Sequence, residues 1–120
     1  MNMLNQLILE GNILHVPETK QTANKVITSF TIASERTYKT FDGKTATEVG
    51  IYDCECYGEA YVPYLKKLEK GRGIRVVGRL KQEHWKDTDG NEHAKIYIVA
   101  EHIEIKPHFP KKEAEYVVCF

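Results

Sequence analysis

From Lys25 to Glu35 the chain alternates, with Val26, Thr28, Phe30, Ile32 and Ser34 on one side and Ile27, Ser29, Thr31 and Ala33 on the other. A period of two rich in β-branched residues predicts a strand, because successive side chains of a strand point to opposite faces. The pattern recurs in Val49 to Tyr57, where Tyr52, Cys54 and Cys56 interleave with Ile51, Asp53, Glu55 and Tyr57. It returns in Gly73 to Trp85 and in His93 to Ile105, which flank a turn at Asp87 to Gly90 and so predict a hairpin. Leu4 to Leu14 is also strand-like, with Gly11 predicting a bulge or sharp bend and Pro17 its end. Between Tyr38 and Thr47, Asp42-Gly43 marks a turn in a loop or hairpin arm.

The period changes once. Tyr61, Tyr64, Leu65 and Leu68 recur at the spacing of one helix face, with Pro63 placed for the first turn. Lys66, Lys67 and Lys70 suit the last turns of such a helix, and Gly71 suits a left-handed cap. The apolar stripe is expected to pack on the core. Three strands, a helix and two strands is the order of an all-β, five-stranded OB-fold barrel with one helix between strands 3 and 4.

A chain of 120 residues has room for one core, so a reading that needs two lobes is excluded. We expect a domain over 1–106, followed by a short flexible tail over 107–120 that lacks periodicity and holds Pro107, Pro110 and Lys111-Lys112. No apolar run reaches the roughly 20 residues of a bilayer span, and no basic segment precedes the short apolar stretch near Met1. The expectation is a cytoplasmic protein. Its three cysteines are an odd number, and Cys54 and Cys56 lie on one strand face, which predicts reduced thiols packed in the core.

Seventeen basic and seventeen acidic residues cancel overall, yet Lys66 to Lys86 holds a net charge of +6. Alternation puts Arg75, Arg79, Lys81 and Trp85 on one face of a strand and Ile74, Val76, Gly78 and Leu80 on the other. A basic strip ending in an aromatic ring matches a single strand of nucleic acid, which offers phosphates along one edge and bare base faces along the other. A solvated charged surface is the simpler alternative.

No catalytic or cofactor signature competes. The five histidines and three cysteines lack Cys-x-x-Cys or His-x3-His spacing, so neither a metal nor a cofactor is expected. Gly71-Arg72-Gly73 is not continued by a third glycine, since position 76 is Val76, and no nucleophile elbow occurs. The chain is not expected to be an enzyme. Asp87, Asp89 and Glu92 are explained by the turn they flank.

Several motifs in order resemble the bacterial single-stranded DNA-binding protein family. They are Leu7-Ile8-Leu9-Glu10-Gly11-Asn12, Phe30 through Arg36, Tyr57-Gly58, Tyr64-Leu65-Lys66-Lys67 through Lys70-Gly71, Val76 through Leu80, and Trp85-Lys86-Asp87 followed by Asp89-Gly90. The resemblance covers about Leu4 to Ile105. It implies an OB-fold, usually a homotetramer, that coats single-stranded DNA in replication, recombination and repair, close to the nucleoid. It also implies that Trp85 and Tyr57 stack on bases and that Lys81 and Lys70 lie near the DNA, beside the Arg75 and Arg79 of the basic strip. Two positions where the family commonly has a stacking tryptophan hold Thr37 and Ile51, and Tyr38 or Phe41 is close enough to replace the first. Asp53 stands where a basic residue is common; it makes the groove less positive or pairs with a neighbouring arginine. Family members often end in an acidic tip that recruits replication or repair proteins, of which only Glu113, Glu115 and Phe120 remain. An OB-fold adaptor for protein contacts and a single-stranded RNA binder are the alternative readings.

Overall fold

The computed structural model describes residues 2–106 and the backbone of Val118–Cys119; the rest of the expected tail lies outside the described residues. In chain order the elements are β1 (Leu7–Ile13), β2 (Glu18–Gln21), β3 (Val26–Lys39), β4 (Thr45–Tyr57), α1 (Val62–Leu65), β5 (Gly73–Lys86), β6 (Glu92–Lys106) and β7 (Val118–Cys119).

Five of these strands close a ring. β1 pairs antiparallel with β5 from Leu7↔Gly78 to Asn12↔Gly73 and with β3 at Asn12↔Ala33 and Ile13↔Ile32. β5 pairs with β6, β6 runs parallel to β4 at Cys54↔Ile98 and Cys56↔Ala100, and β4 returns to β3 over its whole length. Such closure removes the open sheet edges that would otherwise template aggregation. The all-β barrel with α1 between its third and fourth strands is an OB-fold. β1 serves two neighbours because it bends near Gly11, where any Cβ would collide with the Ala33 carbonyl oxygen and Ile32.

Alternation places the core as the sequence predicts, with Phe30, Ile32, Cys54, Cys56, Ile74, Val76 and Ile98 buried inside the ring. Both cysteines are free thiols. Burial pushes the Cys54 thiol up to about 12, with the Asp53 charge adding to the shift, and burial also raises Cys56.

Two local expectations are corrected. β2 was not foreseen; it pairs with Val26–Ser29 of β3, and Thr19 and Thr28 share a hydroxyl hydrogen bond of 3.0 Å. The helix expected from Tyr61 to Gly71 is only Val62–Leu65, with no side-chain cap, and continues as turns closed by bonds such as Leu68 N–H to Leu65 O. Its stripe splits accordingly: Leu65 and Leu68 are buried in the core, while Tyr64 is exposed. The segment over Tyr38 to Thr47 is the expected hairpin arm: residues 38–39 and 45–47 are strand, and the turn is Thr40 to Lys44, in which Gly43 is left-handed.

Two ladders project from the barrel. Beyond Leu80↔Ile98, β5 and β6 pair only with each other up to Lys86↔Glu92. Beyond Ala33↔Ile51, β3 and β4 do the same up to Lys39↔Thr45, apart from a short parallel contact of β4 with β7.

Candidate nucleic-acid interface

The outward faces of β4, β6 and β5 form one surface, because the ladders set Glu55 beside Val99, Lys81 beside Tyr97 and Trp85 beside His93. At its centre the Lys81 ammonium lies 5.5 Å from the Tyr57 ring centroid and 5.9 Å from that of Tyr97. It donates to the Tyr57 hydroxyl at 3.4 Å. Tyr57 donates in turn to Glu55 at 3.0 Å, and Tyr97 donates to Glu83 at 2.6 Å. Tyr97 is 4% exposed; burial, then the hydrogen bond to Glu83, raises its pKa well above the ordinary phenol value. Its hydroxyl therefore stays protonated and acts as a fixed donor.

A groove of about 320 Å³ adjoins this cluster, lined among others by His15, Thr31, Asp53, Glu55, Lys95 and Tyr97. Asp53 accepts from the Thr31 hydroxyl at 3.1 Å and pairs with the Lys95 ammonium at 3.2 Å. Its partner is a lysine and not the arginine that the sequence suggested.

The two arginines of the strip are also paired. Arg75 is held between Glu10 at 3.3 Å and Glu104 at 3.2 Å, and Arg79 faces Glu101 at 3.7 Å. A bulge explains the second contact: Val77 opposes His102 while Gly78 opposes Ala100, so Glu101 is left over and its side chain reaches Arg79. Arg75 lies six positions, or about 20 Å of strand, from Lys81. Lys70 is exposed and has no ion-pair partner among the described residues. The backbone beside it is anchored where Gly71 N–H donates to Ile13 O at 2.7 Å, two residues before groove-lining His15.

Trp85 is 47% exposed near the end of the β5–β6 arm. Phe41 is fully exposed in the turn at the tip of the other arm. Tyr38 lies under the Arg36 guanidinium at 4.8 Å, and the unbroken β3–β4 register turns it to the face opposite Thr37. Thr37 meets Thr47 at 3.4 Å between hydroxyl oxygens, and Ile51 is exposed. The structure thus gathers Tyr57 and Lys81, with Trp85 farther along the same face, and leaves Tyr38 and Phe41 on a separate arm.

Sequence reasoning missed Tyr97, Lys95 and His93 as members of this surface. Their signal was present in the hairpin itself: once Asp87 to Gly90 is a turn, counting back from it sets position 85 against 93 and 81 against 97.

A closed five-stranded barrel with lysine and tyrosine joined on its outer sheet face, and a half-exposed indole on the arm beyond, is an OB-fold domain of the kind that handles nucleic acid. The model of the single-strand binding protein family matches residues 4–106, and the chain belongs to that family. A single-stranded DNA-binding protein of Aquifex aeolicus is 29% identical over 116 residues, covering 94% of this chain and 78% of the relative. One of Caldanaerobacter subterraneus is 32% identical over 103 residues, covering 84% and 67%. The chain spans only 34% of a relative from Deinococcus radiodurans, at 28% identity. Among solved structures, a Plasmodium falciparum SSB in complex with ssDNA superposes with a TM-score of 0.78 at 19% identity, covering 88% of this chain and 97% of that one. The single-stranded DNA binding protein from Thermus aquaticus superposes with 0.76 at 23% identity, covering 86% and 50%. Both establish the same fold.

Proposed function

We propose that the protein binds and protects single-stranded DNA, largely without regard to sequence, on the outer face of β4, β6 and β5. The observation that carries this reading is the Lys81 ammonium set against the Tyr57 ring, on the same face as the half-exposed Trp85. In it, Trp85 and Tyr57 stack on bases, while Lys81, Lys70 and, once released from their carboxylates, Arg79 and Arg75 meet phosphates. Tyr38 and Phe41 on the β3–β4 arm offer rings to the continuing strand. Stacking is worth roughly 1–3 kcal/mol per base and tolerates every base, so no base-edge reader is required.

Membership of the family supports a wider role in this reading. A non-catalytic coat on single strands serves replication, recombination and repair beside the nucleoid in the cytoplasm, assembled as a homotetramer. In this reading residues 1–106 are the binding domain and the tail over 107–120 is available to other proteins. Among the described residues no helix is long and apolar enough to cross a membrane.

The test is a titration with oligo(dT) followed by the fluorescence of Trp85, the one tryptophan. Quenching at low salt is expected, with Trp85→Ala weakening binding by about 1–3 kcal/mol. Absent quenching with unchanged affinity in Trp85→Ala supports the adaptor reading instead, and equal affinity for oligo(rU) supports an RNA role.

A further inference from the structure

The β5–β6 arm sets against Trp85 a second ring, His93, that the binding reading does not use. Trp85 and His93 oppose each other across the ladder, and their rings stack with centroids 5.6 Å apart and planes inclined by 23°. The imidazole is not free to swing. Its Nε2 lies 2.7 Å from Asp87 Oδ2, and Asp87 Oδ1 accepts the backbone N–H groups of Asp89 at 3.0 Å and Asn91 at 2.9 Å. The hydrogen bond from His93, followed by that from the Asn91 N–H, holds the Asp87 carboxyl below its ordinary value, so it is an anion at neutral pH and His93 Nε2–H donates to it. The turn fixes the carboxylate, the carboxylate fixes the imidazole, and the imidazole covers one face of the indole. No second ring or cation lies over Trp85 among the described residues.

We infer that His93, locked by Asp87, is a positioning residue for nucleotide binding: it closes one face of the Trp85 indole and presents the other to a single base. The bound state is a three-layer stack of imidazole, indole and base. A flexible exposed indole loses side-chain freedom when a base docks, and an indole already held on one side loses less, so the clamp raises affinity by preorganisation.

This inference rests on the binding reading, and its test separates the two. Wild type, His93→Ala and His93→Phe are titrated with oligo(dT), and the steady-state anisotropy of Trp85 is measured without DNA. His93→Ala is expected to bind about 2- to 10-fold more weakly, the effect of losing one aromatic pair, and to show lower anisotropy. His93→Phe, which keeps a ring on the indole but loses the bond to Asp87, is expected to recover most of the affinity. Wild-type affinity and anisotropy in His93→Ala overturn the inference alone, as does a folded His93→Phe that binds no better than His93→Ala. A wild-type protein that binds no oligo(dT) overturns the binding reading itself.

Discussion

The Asp53 carboxylate meets the Lys95 ammonium at 3.2 Å across the groove floor, tying β4 to β6 on the surface where the strand of DNA is proposed to run. Both side chains are about half exposed, so the pair adds little to stability, and its importance is electrostatic. A phosphate that approaches Lys95 has to compete with Asp53. Asp53→Asn is therefore expected to tighten binding of oligo(dT) and to steepen its salt dependence by about 0.7 in log–log slope, as one more cation reaches a phosphate. Weaker binding in Asp53→Asn would mean that the carboxylate orders the groove instead of screening it.

Lys81 should behave oppositely. Its ammonium touches two tyrosines and no carboxylate within salt-bridge distance among the described residues, so it is available to phosphate. In Lys81→Ala the salt slope is expected to fall by about 0.7, measured between low and physiological ionic strength. An unchanged slope places Lys81 off the DNA path.

The buried thiols set a limit at high pH. Cys54 ionises only near 12 in the folded protein, whereas an unfolded thiol ionises at about 8.5. The unfolded chain thus releases this proton first, and the contribution of Cys54 to stability is complete below about pH 8.5 and declines as pH rises toward 12. In a Cys119→Ser background at pH 8, a disulfide dye is expected to label neither Cys54 nor Cys56 until denaturant is added. Rapid labelling of the folded protein would show that the barrel opens at β4.

Gly78 lies where β5 passes the bulge in β6, and a Cβ there would strike the Val99 carbonyl oxygen. The neighbour is backbone and cannot move aside cheaply. Gly78→Ala is expected to destabilise the protein by an amount at the upper end of about 1–3 kcal/mol, read from its urea midpoint. It should also disturb the ion pair of Arg79 with Glu101, which depends on the bulge.

Much of the barrel was legible because alternation is a local property. Val26 to Ser34 declares its two faces without reference to any other strand, and so does Ile74 to Leu80. The helix was over-read from the apolar spacing of Tyr61 to Leu68: Leu65 and Leu68 reach the core through one short helix and a turn, and Tyr64 is left outside. β2 is not legible because Glu18-Thr19-Lys20-Gln21 is polar on both faces and is held on β3 by its backbone ladder and the Thr19–Thr28 hydroxyl bond, with no apolar face to bury. In the sequence Asp87 marks only a turn; its clamp on His93 is not legible there, since the hydrogen bond between them depends on how the turn folds back.

By itself the sequence determined the order of the five barrel strands, which side of each faces the core, and that positive charge collects between Lys66 and Lys86. Those are one-dimensional quantities, set by neighbours a few residues away. Only the tertiary structure decided which charges remain available. Arg75 meets Glu10 and Glu104, and Arg79 meets Glu101, from strands remote along the chain. Interaction between charges falls with distance in space and is screened within about 10 Å, so a tally along the chain cannot report it. What reads along the chain as a continuous basic strip is, in three dimensions, two arginines paired with carboxylates and, farther along β5, one lysine against two tyrosines.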